Sequence, residues 1–206
     1  MLEELSELQR DALTETINIG VGRASRALAQ LTKSEVAMSV PVIIQCLPGT
    51  IRDIVSPSLF DSSDVCSVSR RVAGLDADVT LIFQGTKESM GELLAGGITQ
   101  EGQDAPVDVR EAVAHKIGYL MIESCLDQIE NVVGGNIERS KLSYHPRLPL
   151  GIFSEEFNPA EPVIIVKIDI AVPKRGISGH LLCAMMHKAA NRMADGLDAI
   201  VIESQG

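Results

Sequence analysis

Asp11, Glu15 and Asn18 stand at steps of four and then three residues, and Pro41 follows Asn18 after 22 intervening residues. An α-helix turns about 100° per residue, so these steps bring two carboxylates and an amide onto one narrow face. Such a face can do chemistry without a strong nucleophile. A carboxylate engages a cation on a partner, and an amide accepts one hydrogen bond while donating another, which suits it to orienting water. Taken alone, the same pattern is first of all the solvated side of an ordinary helix. Two details count against that: Asn is a poor residue for a helix interior, and Gly20 and Gly22 each cost about 1 kcal/mol relative to Ala there. Small residues at those positions permit either close packing of another element or a kink.

The element that must carry this face is a helix over residues 2–32. Leu5, Leu8, Ala12, Ile19, Ala24, Leu28 and Leu31 recur at helical spacing and are expected on its buried flank. Residues 35–47, rich in β-branched and apolar side chains, read as a strand that includes Pro41. A loop rich in Gly, Pro and Ser leads to strands at 65–72 and 78–84. A short helix at 87–95 follows, stopped by Gly96 and Gly97. Residues 102–105 read as a linker, with Pro106 in the first turn of a second long helix over 107–133.

The order then recurs, with strands at 137–144, 163–171 and 177–186, the last two joined across residues 173–176, and a short helix at 188–197. The chain reads as one domain, 1–206, made of two similar halves, about 1–101 and 102–206. The expected architecture is α/β (α+β), a mainly antiparallel sheet with two long helices packed on it. Aligning Lys87 with Lys188 sets an offset of 101 residues, under which Asp11, Glu15, Asn18 and Pro41 fall on Ala112, Lys116, Tyr119 and Leu142. The second half lacks the acid and the amide. Pro146, near the expected proline position, does not restore them, and Lys116 and Tyr119 belong to a degenerate copy.

Composition bounds the function. Over 206 residues, 45% are apolar and 22% charged, as in a globular chain able to bury a core. A net charge of −10 disfavours nucleic acid and anionic membranes as partners. With an acidic start and no long apolar run, the reading is a cytoplasmic protein. Cys46, Cys66, Cys125 and Cys183 are far apart in sequence and form no Cys-x-x-Cys pair, and His115, His145, His180 and His187 form no ligand cluster. The chain is therefore expected to bind no metal or other cofactor of its own.

At Asp11-x-x-x-Glu15-x-x-Asn18, followed by 22 residues and Pro41, the sequence resembles the CheC-type phosphatases of bacterial chemotaxis. In that family the first position is Asp or Ser and the other three are Glu, Asn and Pro. The resemblance implies a pseudo-twofold fold and the hydrolysis of the aspartyl phosphate on a CheY-like response regulator. That regulator carries Mg²⁺ in its own pocket. By the same resemblance, Asn18 orients the attacking water, Glu15 engages the regulator's active-site lysine, Asp11 supports docking or helix orientation, and Pro41 shapes the scaffold. Relatives in that family can also bind the receptor deamidase CheD, for which no residue pattern here speaks, and the sequence leaves open a second copy in a homodimer. The alternative is a noncatalytic interaction module, a flagellar-switch adaptor that keeps the fold without the reaction.

Overall fold

In the computed structural model, residues 5–55, 58–73, 75, 77–93, 109–134, 137–148 and 157–204 are described. The first long helix, α1 (Glu7–Thr32), starts two residues after Leu5 at a capping box: Ser6 Oγ accepts from the Gln9 N–H and Gln9 Oε1 accepts from the Ser6 N–H. The second, α5 (Val109–Val133), packs against it, and both lie with α6 (His187–Ser204) on one face of a single sheet. The expected helix stop at Gly96 and Gly97, the linker at 102–105 and Pro106 lie outside the described residues.

The sheet holds β1 (Ala37–Met38), β2 (Val42–Cys46), β3 (Val65–Val72), β4 (Ala77–Gln84), β5 (Ser143–His145), β6 (Val163–Val172) and β7 (Ile177–Met185). Its order is β1-β6-β7-β4-β3-β5, with β2 also on β6, and every pairing is antiparallel. The fold is thus α+β. Alternation along β6 sends Ile164, Val166, Ile168, Ile170 and Val172 toward the helices. Val163 and Ile165 point to a second core on the other face, closed by α2 (Ile51–Ile54), α3 (Ser58–Asp61), Leu148 and Phe157.

Strand pairing carries the twofold arrangement. In the β3–β4 hairpin Val72 pairs with Ala77, and in the β6–β7 hairpin Val172 pairs with Ile177, so the hairpins correspond at an offset of 100. The expected 101 is one residue too large for these strands. Each half also lends an edge strand to the other: β2 pairs with β6, and β5 pairs with β3. Val42 faces Lys167 and His145 faces Ser67, which makes Val42 and His145 equivalent and the edge-strand offset 103. Continued by one residue, that offset places Pro41 on Tyr144 rather than on Leu142, and Pro146 one residue beyond the equivalent of Val42.

Four elements differ from their sequence reading. Residues 35–47 form two strands because Ser39, Val40 and Pro41 insert one extra residue against β6, between the pairs Met38 with Ile170 and Val42 with Lys167. Pro41 has no N–H to give the ladder, and a bulge is where a strand tolerates it. Of 137–144, only a bridge at Arg139 and the start of β5 are extended, since the Arg139 side chain is drawn into the carboxylates of α5. The last helix runs to Ser204, not Leu197. The loop after β2 holds α2 and α3.

On the edge strand β5, His145 lies 3.2 Å from Ser69 Oγ of β3, and partial burial lowers its pKa from 6.5. A histidine whose folded pKa lies below its unfolded value binds fewer protons when folded, so acidification through about pH 6.5 must destabilise the fold. The thermal midpoint should therefore fall between about pH 7.5 and about pH 5.5 by less in His145→Asn than in the wild type. Equal falls in the two proteins would refute this.

Candidate functional site on the outer face of α1

The rotation of α1 is set by Leu13, Ile17, Val21, Ala24 and Leu28, buried at steps of four, four, three and four. The centre of this arc lies roughly 130° around the helix from the centre of the polar stripe, and the nearest members, Val21 and Asn18, are about 60° apart. Asp11, Glu15 and Asn18 are therefore all exposed. Close packing fixes the helix axially as well: a Cβ built on Gly20 would stand 2.9 Å from Cys125 Cα and 3.1 Å from the Ser124 carbonyl oxygen. Of the two readings of that glycine, close approach holds. The main chains of α1 and α5 touch there, and α1 runs through Gly20 and Gly22 without a break. Gln9 Nε2 adds a hydrogen bond to Asn191 Oδ1 on α6.

The carboxylates of the two long helices are in different states. On α5, Glu123 accepts from Arg70 of β3 and, at 2.7 Å, from Arg139; Arg139 also binds Asp127 at 2.8 Å and Glu130. Burial opposes the Arg139 charge, but these bonds to Asp127, Glu123 and Glu130 outweigh it and raise its pKa. Those acids hold α5 to the sheet. On α1, the side chains of Asp11, Glu15 and Asn18 make no hydrogen bond or ion pair with any described residue. They are free to meet a partner.

Two apolar side chains join them, contrary to the sequence reading. Leu8 is 56% exposed and Ile19 36%, where both were expected on the buried flank. By helical angle they share the shoulder nearest Glu15. Their spacing alone fits either flank, and no signal in the sequence separates a covered shoulder from an open one. Leu5, Ala12, Ala24 and Leu28 are buried as expected, and Leu31 is half-buried. Pro41 is buried at the strand bulge between β1 and β2, off the stripe.

The second half offers no equivalent face. At offsets of 100, 101 and 103, Glu15 corresponds to His115, Lys116 or Gly118, and Asn18 to Gly118, Tyr119 or Met121. None is an acid or an amide. Tyr119 is exposed, while Ala112 and Lys116 are half-buried.

Other polar groups are committed to each other. A groove of about 420 Å³ beside β1 is lined by Ser39, Asp169, Ser178 and His180. There Asp169 lies 2.7 Å from His180 Nδ1 and 3.4 Å from Lys167 Nζ. Burial pushes the Asp169 carboxyl up, but His180 and Lys167 more than offset it, so its pKa is lowered. All four cysteines are free thiols; Cys66, Cys125 and Cys183 are buried and Cys46 half-buried. Burial pushes Cys125 up to about 12, far from a reactive thiolate. No group of three or more potential metal ligands occurs among the described residues. No helix among them is long and apolar enough to cross a membrane.

Comparison with known proteins converges on the same helix. Residues 8–44 match the model of the CheC-like family. Among curated proteins, none matches the sequence. Among solved structures, Thermotoga maritima FliY is 16% identical, with a TM-score of 0.65 over 96% of this chain and 99% of that one. The FliM middle domain from H. pylori is 10% identical, with a TM-score of 0.62 over 93% and 99%. A chain of the FliG–FliM complex from H. pylori is 12% identical, with a TM-score of 0.61 over 93% and 100%. At these identities the likeness is one of fold. Residues 8–44 thus resemble the CheC-like family, and the chain carries that segment on a fold similar to those of FliY and the FliM middle domain.

Proposed function

We propose that this protein hydrolyses the aspartyl phosphate of a CheY-like response regulator, as a cytoplasmic component of chemotaxis or a related two-component pathway. The observation that carries the reading is the free amide of Asn18, exposed on a helix held by close packing, one turn from an equally free Glu15 and inside the CheC-like segment.

Hydrolysis of an acyl phosphate needs water in line with the breaking P–O bond, and positioning and electrostatics supply most of the catalysis. The carbonyl of Asn18 accepts a hydrogen bond from that water and its NH₂ donates to a neighbouring oxygen, so the amide orients the nucleophile without removing its proton. The regulator brings its own Mg²⁺, whose charge stabilises the phosphoryl oxygens; this chain needs no metal ligands. Glu15 pairs with the regulator's active-site lysine, Asp11 extends the polar contact by one turn, and Leu8 and Ile19 bury apolar surface beside it.

The test is the decay of phosphorylated regulator in Mg²⁺ with and without the purified protein; unaltered decay refutes the proposal. Glu15→Ala should raise KM about tenfold by removing one charge-assisted contact while leaving the fold unchanged. Wild-type KM in that variant would remove Glu15 from the interface.

A second reading is a noncatalytic flagellar-switch module, favoured by one observation: the FliM middle domain fold extends over 93% of this chain. Its partners would then be other proteins of the switch, as in the FliG–FliM complex. A switch module would bind without accelerating phosphate loss, so the same decay assay separates the two.

A further inference from the structure

Among the described residues, nothing packs against Gly22. A glycine destabilises a helix interior relative to alanine, and the usual reasons to keep one are a left-handed backbone or the close approach of another element. Neither applies. Gly22 lies ten residues before the end of α1, its φ is not positive, and a Cβ built on it meets no heavy atom within 4 Å. Gly20, two residues earlier, is packed on α5, so the pair is not a general loosening of the helix. Gly91 likewise meets no described atom, but it lies on another element, the short α4 (Lys87–Leu93).

Gly22 is exposed four residues after Asn18, on the same face. Helical side chains lean toward the N-terminus, so a side chain at position 22 would lie over the turn that carries Asn18. A polar one would also be in reach of the Asn18 amide. We infer that Gly22 is a clearance: it leaves that amide uncovered and lets the main chain around a recessed phosphoryl group on the partner come against α1. This rests on the phosphatase reading above and narrows it. The partner must present its phosphoryl group below a rim of loops, as a folded phosphoprotein does and a small phosphate ester does not.

A size series at position 22 tests it on phosphorylated regulator with Mg²⁺. Gly22→Ala should raise the thermal midpoint and lower kcat/KM about threefold. Gly22→Leu should keep a midpoint at or above that of the wild type and lower kcat/KM about 30-fold, mainly through KM. Gln30→Leu, at an exposed α1 position away from the stripe, should leave kcat/KM unchanged. A Gly22→Leu protein within about twofold of wild type overturns the clearance alone, as does a loss of activity that tracks a fallen midpoint. A wild type inert on the regulator overturns the phosphatase reading and the clearance with it.

Discussion

Asn18→Ala should lower the rate of regulator dephosphorylation about 100-fold, equivalent to roughly 2.7 kcal/mol of transition-state stabilisation, with no loss of fold. The magnitude follows from what the amide does. It supplies orientation for one water and no bond to the transferred group, and single preorganised hydrogen-bonding groups at reacting centres are worth about that much. The fold should be untouched because Asn18 is exposed and bonds to no described residue, and because Ala is a better helix former. The loss should sit in kcat, whereas Glu15→Ala should act through KM. Asn18→Asp is the sharper variant: nearly the same size, it keeps an acceptor, loses the donor, and brings a negative charge toward a phosphoryl group. A stable Asn18→Ala protein that retains the wild-type kcat would remove the amide from the chemistry.

The second large effect is on the scaffold. Gly20→Leu should cost about 3 kcal/mol and lower the thermal midpoint by roughly 6–12 °C, with activity falling alongside. A side chain at position 20 meets Cys125 Cα and the Ser124 carbonyl, main-chain atoms that cannot rotate away as a side chain would. The helices must separate, and the buried arc of Leu13, Ile17 and Val21 is lifted with them. Gly20→Ala separates this from propensity. Alanine is favoured in a helix by about 1 kcal/mol, yet the variant should be less stable than the wild type, because its Cβ is the clashing atom. A midpoint above wild type for Gly20→Ala would show that α1 and α5 are not in main-chain contact. The sign is opposite to that expected at Gly22, two residues away on the open face.

Much of the site is legible in the chain because a helix encodes its own faces. Once residues 7–32 are helical, the angles among Asp11, Glu15 and Asn18 follow from the helix repeat, and no other element can alter them. The β3–β4 and β6–β7 hairpins are legible for a similar reason: each consists of two runs rich in apolar and β-branched residues joined by a short connection. Reading fails where the outcome depends on a remote partner. Leu8 and Ile19 have the spacing of core residues, but they stay exposed because α1 rests on α5 and α6 along a different arc. The last helix continues past Leu197 through the β-branched run at residues 200–202, whose weak helix propensity hides its end in the sequence. The edge strands trade places between halves, and their offset of 103 emerges only from pairing with strands more than 70 residues away.

By itself, then, the sequence determined that one helix face holds two acids and an amide at positions 11, 15 and 18, and that the second half holds none of these at the matching places. Both depend only on residue identity and the helix repeat. Tertiary structure alone decided which carboxylates are available. Glu123, Asp127 and Glu130 also lie on a long helix, but Arg70 and Arg139 reach them from elsewhere in the chain and bind them. Among the described residues, none gives the side chains of Asp11, Glu15 or Asn18 a hydrogen bond or ion pair. The physical reason is that periodicity is local whereas charge pairing is set by the topology of the sheet, which brings arginines to α5 and leaves the outer face of α1 open.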